Sequence, residues 1–130
     1  MRALIFSDSH GDEDNLRWMA ELMSRRGPVD AYVHCGDGAQ DFERVENYLL
    51  ALSPRASIYG VRGNCDYFVN DVPWQRVMRL GGVNVLITHG HLHGVKTTLS
   101  LLPSAAREMR CGVVLFGHTH RPALEERDGI

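Results

Sequence analysis

Asp8 and His10 stand two apart where a short apolar run, Leu4-Ile5-Phe6, gives way to polar residues, and Gly11 follows them. Residues two apart in an extended tip project to the same side, so a carboxylate oxygen and an imidazole nitrogen can reach towards one point. That donor pair suits Zn, Mn, Fe or Ni better than Ca or Mg. Alone, it reads more simply as an Asp capping the next helix with His10 on the surface. The arrangement, however, recurs four times downstream. Asp37 lies in Gly36-Asp37-Gly38, and Asn64 in Arg62-Gly63-Asn64-Cys65-Asp66. His89 and His91 lie in His89-Gly90-His91, and His118 and His120 in Gly117-His118-Thr119-His120. Each cluster ends an apolar, β-rich run and carries a glycine, as loops that need tight turns and close backbone approach do. Caps and turns would have to be invoked separately for all five.

The elements that must position these residues alternate. Ala3 to Phe6 reads as a buried strand. Asp12 to Arg26 reads as a helix, with Leu16, Met19, Ala20 and Met23 in phase, acids at its start and Arg25-Arg26 at its end. Asp30 to Cys35 is a second strand, Asp41 to Leu52 a second helix with Phe42, Val45, Leu49 and Leu52 on one stripe, and Ala56 to Val61 a third strand. Arg76 to Leu80 and Val83 to Thr88 form a hairpin about Gly81-Gly82. Val95 to Arg110 is helical by periodicity, with Pro103 expected to kink or split it. Val113 to Phe116 is the strand that delivers His118 and His120. This order gives an α/β fold with a largely parallel sheet. Ligands in open α/β sheets bind beyond the carboxyl ends of the strands, so all five clusters can meet on one rim.

The chain has 130 residues, 44% hydrophobic and 23% charged, an ordinary composition for one domain spanning 1–130. No apolar run approaches the ~18–20 residues of a membrane span, and no signal peptide is visible at Met1. Cys35, Cys65 and Cys111 are odd in number and scattered, which speaks against a disulfide framework and makes cytoplasm the default compartment. A net charge of −2 gives no global footprint for nucleic acid. A negative substrate must therefore be attracted locally, and a metal centre would do so.

D-x-H, G-D, G-N-x-D, H-G-H and G-H-T-H, in this order from Leu4 to about Arg121, resemble the calcineurin-like metallophosphoesterases, and most closely their small bacterial and archaeal phosphodiesterases. The resemblance implies a β-sheet sandwich flanked by helices and two divalent ions, manganese first, with nickel, iron or zinc as alternatives. It assigns Asp8, His10, Asp37 and His120 to one ion. Asp37 bridges to the other, which Asn64, His89 and His118 complete. Two divalent cations outweigh Asp8, Asp37 and a shared hydroxide by about one positive charge. The implied reaction is hydrolysis of a small phosphodiester or monoester by in-line attack of a metal-bridging hydroxide. The competing expectation is a binding scaffold of the same fold, like the retromer subunit. That subunit departs at the position of Asn64, whereas every expected ligand is present here. A nuclease is disfavoured by the short chain and the lack of a basic groove.

The sequence departs from this pattern in two places. Many members carry a histidine directly after the Asn, where it protonates the leaving group or holds substrate; here the residue is Cys65, although the small-phosphodiesterase branch often shares it. The other departure is at the end of the chain. Pro122 to Glu126 read as the start of a strand and Asp128-Gly129 as a hairpin turn, while similar proteins continue with a returning strand and one more. The fold is thus expected to lack its final C-terminal strands, giving either a homodimer joined through an open sheet edge or a monomer frayed beyond Ala123. Around the site, His91 and Asp66 are candidates for catalytic contact, with a solvated loop and a turn as their alternatives. His93 reads as exposed, His34 as a satisfied core histidine, Arg62 as a salt-bridge partner, and Tyr67-Phe68 and Trp74 as core cover.

Overall fold

Three short apolar runs build the first sheet because each is flanked by residues that start or stop a crossover helix. In the computed structural model, which describes Met1 to Ile130 throughout, β1 (Ala3–Phe6), β2 (Ala31–His34) and β3 (Ser57–Gly60) lie side by side in that order, all parallel. Phe6 pairs with His34 and His34 with Gly60, so three carboxyl ends finish level. Helix α1 (Glu13–Ser24) begins after Asp12, whose Oδ1 accepts the Asn15 N–H at 3.0 Å. The cap is therefore Asp12, and Asp8 is left for another purpose. Helix α2 (Ala39–Leu52) packs beside α1, and Phe6, Leu16, Ala20, Tyr32, Phe42, Val45 and Leu49 form the core between these helices and the sheet.

The second sheet has the order β4 (Gln75–Leu80), β5 (Val83–Thr88), β6 (Val113–Leu115). β4 and β5 are antiparallel about the expected two-residue turn, with Gly81 and Gly82 at φ 56° and 87°, the mirror-image turn whose twist matches paired strands. β6 runs parallel to β5, with Leu115 opposite Ile87. Val33, Cys35 and Val61 meet Met78, Val85 and Ile87 between the sheets, while Leu86, Ala106 and Cys111 form the core under α3 (Leu101–Glu108). The result is an α/β/β/α sandwich. All three cysteines are free, and burial pushes the Cys35 thiol up to about 12. No helix is long and apolar enough to cross a membrane.

Two expectations need correction. The periodic stretch from Val95 is helical only over Leu101–Glu108. Residues 95–100 form turns in which Thr97 and Thr98 N–H both donate to Gly94 O and Thr98 Oγ1 takes the Ser100 N–H, a side-chain competition that disfavours helix. Pro103 then falls in the first turn of α3, where its missing N–H has no partner to lose, so it neither kinks nor splits the helix. Residues 122–126 form no strand, because they have no ladder partner. The turn after them does form: Arg127 and Ile130 exchange N–H···O bonds of 2.9 and 3.0 Å across Asp128-Gly129. Arg107 holds Asp128 at 3.3 Å, and Ile130 packs on the core under α3.

His34 is the core histidine it was read to be. It is fully buried in β2, accepts the Gly36 N–H at Nδ1 and so presents Nε2–H to Ser9 Oγ at 3.2 Å. Burial, against the pull of Asp66, Asp41 and Asp8, lowers its pKa from 6.5 to about 4. The unfolded chain binds this proton below pH 6.5 and the folded chain only near 4, so acidification through that window removes about 3 kcal/mol of stability. Urea unfolding at stepped pH should show this loss, and His34→Gln should flatten the curve between pH 6.5 and 4. A parallel curve for the variant would remove His34 from the explanation.

Candidate metal centre

The loops after β1, β2, β3, β5 and β6 meet beyond the carboxyl ends of the two sheets. Asp8 Oδ1 lies 3.1 Å from His120 Nε2 and 3.9 Å from both His10 Nε2 and His89 Nε2. Asp37 Oδ2 lies 3.2 Å from His89 Nε2 and 3.9 Å from His10 Nε2. His89 Nε2 and His118 Nδ1 approach to 3.1 Å. Two triads result, Asp8/His10/His120 and Asp37/His89/His118, and a third, His10/Asp37/Cys65, shares one member with each. Asn64 stands on the exposed rim beside them, its amide donating to Cys65 Sγ at 3.3 Å.

The protonation states follow from the hydrogen bonds. His89 Nδ1 is 2.7 Å from the Cys35 carbonyl, which can only accept, so Nδ1 carries the proton and Nε2 offers its lone pair to the site. Asp37 Oδ1 takes the Cys65 N–H at 2.8 Å. Burial alone would raise the Asp37 carboxyl, but the Cys65 N–H bond, His89, the Cys65 thiol and His10 together hold it below the ordinary carboxylate range. Asp8 Oδ2 accepts from Ser7 Oγ and from the His118 N–H at 3.0 Å, while its Oδ1 is buried and has no partner. A buried carboxylate oxygen facing three imidazoles without a hydrogen bond is costly unless a cation sits among them. The donor set and this orphaned oxygen therefore fit divalent transition metals.

The backbone supports the same reading. Asp8, His10, Asp37, His118 and His120 all lie in the left-handed region, with φ between 45° and 69°, a conformation that costs non-glycine residues about 1 kcal/mol or more each. Two glycines permit the crowding: a Cβ on Gly117 would collide with Ser7 Oγ, and one on Gly63 with Asp37 Oδ1.

Asp41 escaped the sequence reading as a support, and Asp66 was named there without its partners. Asp41 Oδ2, in the first turn of α2, accepts from Ser9 Oγ and the Gly11 N–H, both at 2.7 Å. With His34 behind Ser9, this pins the loop that carries Asp8 and His10. The Asp66 carboxylate accepts four backbone N–H groups, from Asp37 and Gly63 at 2.8 Å, Gly38 at 2.9 Å and Ala39 at 3.1 Å. It thereby ties the Asp37 loop to the Asn64 loop. An acid two residues after the Asn was the only signal for this. Arg62 makes no salt bridge; its guanidinium lies 3.9 Å over the Trp74 ring and donates to Val69 O and Asn70 Oδ1. Trp74 in turn stands 5.3 Å from His91. Burial and the neighbouring His89 and His118 lower the His91 pKa, and its Nδ1 is buried without a partner. His93 is half-buried rather than exposed, and Tyr67 and Phe68 cover no core, being 74% and 94% exposed.

With this geometry in hand, the comparison with known proteins is direct. The chain matches the calcineurin-like phosphoesterase superfamily domain over residues 1–130. It belongs to that superfamily. It is 40% identical to the probable metallophosphoesterase YsnB of Bacillus subtilis, over 92% of this chain and 64% of YsnB. It is 36% identical to the phosphodiesterase YfcE of Escherichia coli K12, over 100% of this chain and 75% of YfcE. The crystal structure of a conserved uncharacterized protein from Streptococcus pneumoniae TIGR4 superposes with a TM-score of 0.75 at 29% identity, covering 98% of this chain and 67% of that one. Zinc-complexed Vps29 from Entamoeba histolytica superposes with a TM-score of 0.72 at 19% identity, a likeness of fold alone. The chain thus spans about two thirds of the length of YsnB and of the Streptococcus protein.

Proposed function

We propose that the chain is a metal-dependent phosphoesterase that hydrolyses a small phosphodiester or phosphomonoester. The observation that carries this reading is the unpartnered, buried Asp8 Oδ1 facing His10, His89 and His120. Asp8, His10, Asp37 and His120 would hold one ion, and Asp37, Asn64, His89 and His118 a second. Manganese is the first candidate, and imidazole-rich donors also admit nickel, iron or zinc. When bound, two divalent ions supply a polarised phosphoryl oxygen and a water whose pKa falls towards neutrality.

The chain's own residues do the rest. Cys35 O fixes the His89 tautomer, and Cys65 N–H keeps Asp37 ionised and turned inward. His91, kept neutral by burial and its histidine neighbours, stands with its ring 5.4 Å from that of His89 and 6.0 Å from that of His118, close enough to border the phosphoester. Asp66 acts through position, because its four bonds to backbone N–H groups leave its carboxylate committed. Hydrolysis of bis(p-nitrophenyl) phosphate and p-nitrophenyl phosphate, assayed with Mn, Ni, Fe, Zn and Mg, tests the reading. Metal-dependent release of p-nitrophenolate is expected from at least one ester. A folded protein that binds metal yet hydrolyses neither ester would overturn it in favour of a binding scaffold.

A further inference from the structure

A cavity of about 420 Å³ is lined in part by Thr119, the residue between His118 and His120. Lys96, Thr119 and Arg121 supply its polar wall, and Val95, Leu99 and Phe116 are among its apolar residues. Thr119 Oγ1 donates to Arg121 O at 3.0 Å and accepts the Arg121 N–H at 3.3 Å, which fixes the base of the Arg121 side chain. Neither Lys96 nor Arg121 is among the cations held in ion pairs, which are Arg17, Arg25, Arg44, Arg107 and Arg127. Both therefore line the cavity without a carboxylate partner.

We propose that this cavity is a substrate subsite for an anionic group at the end of a short, partly apolar arm of the phosphoester. The inference rests on the phosphoesterase reading and adds the class of substrate. The reacting phosphoryl group belongs to Asp8, Asp37 and the histidines, so the charge met by Lys96 and Arg121 must lie elsewhere on the same molecule. The volume suits an arm of a small molecule. The apolar residues would cover its carbon chain, and the two cations would take a terminal carboxylate or phosphate by charge-assisted hydrogen bonds.

Three p-nitrophenyl alkyl phosphodiesters with equal arms ending in carboxamide, carboxylate or phosphate test the proposal, since all release the same leaving group. With the Mn-loaded protein, kcat/KM for the better anionic arm should exceed that for the carboxamide by roughly tenfold, the scale of one charge-assisted contact. That ratio should fall towards one in Lys96→Ala and in Arg121→Ala, invert in Lys96→Glu, and shrink as salt is raised. Which anion leads identifies the terminal group. The matching non-hydrolysable phosphonates, titrated by calorimetry, give the same comparison without turnover. Hydrolysis of all three with no anionic preference, or a preference unchanged in the variants, overturns the subsite and leaves the phosphoesterase reading standing. Absent hydrolysis with preserved calorimetric preference overturns the phosphoesterase reading and leaves the subsite standing.

Discussion

Asp37→Asn should abolish hydrolysis and strip more metal from the protein than Asn64→Ala does. Asp37 is buried in one triad and reaches towards the other, with Oδ2 facing His89 and His10 and Oδ1 held by the Cys65 N–H. The amide oxygen of an asparagine can still accept that N–H, so the fold and the loop should survive. What is lost is an anion shared by two cations, whereas Asn64 offers one dipole to one ion from an exposed rim. A metal clamp contributes several kcal/mol to the transition state, and about 1.4 kcal/mol is a factor of ten. A fall of roughly a thousandfold or more is therefore expected. Elemental analysis and activity of the two purified variants decide it. Wild-type metal content and rate in Asp37→Asn would sink the two-metal centre.

The second large effect concerns leaving groups. Cys65 sits at the lip of the centre, where burial and then its contact with Asp37 push the thiol up. It stays protonated at neutral pH and is too weak an acid to protonate a departing alkoxide efficiently. Wild-type rates should therefore fall steeply as leaving-group pKa rises. Cys65→His places an imidazole in the same exposed position. It should restore activity selectively on poor leaving groups, by about 10²–10⁴-fold where general acid catalysis limits. A series of aryl and alkyl phosphodiesters measures the slope for both proteins. A flat wild-type slope would mean that the proton comes from another group or that protonation does not limit the rate.

The rim was legible in the sequence because each candidate ligand follows a strand directly, and strand ends in such sheets converge whatever the helices between them do. Strand and helix types held for the same reason, down to the Gly81-Gly82 turn. The misses share a physical cause. At Val95–Ser100 the apolar spacing is helical, but Thr98 satisfies backbone groups locally, which periodicity does not register. Residues 122–126 have strand composition, yet a strand exists only through its partner. Asp41 and Asp66 look like helix and turn acids, and their value lies in backbone N–H groups some thirty residues away. Arg62 reads as an ion-pair cation, but what it meets is an indole face.

The bond from the His118 N–H to Asp8 Oδ2 spans 110 residues, and this sets an order of events during synthesis. At about 5–20 residues per second, Asp8, His10 and Asp37 leave the ribosome several seconds before His118 and His120 exist. In that interval only two carboxylates and one imidazole of the candidate site have been made. The other imidazoles, those of His89, His118 and His120, arrive with β5 and β6. The centre proposed above can therefore be completed only late, when the second sheet closes on the first.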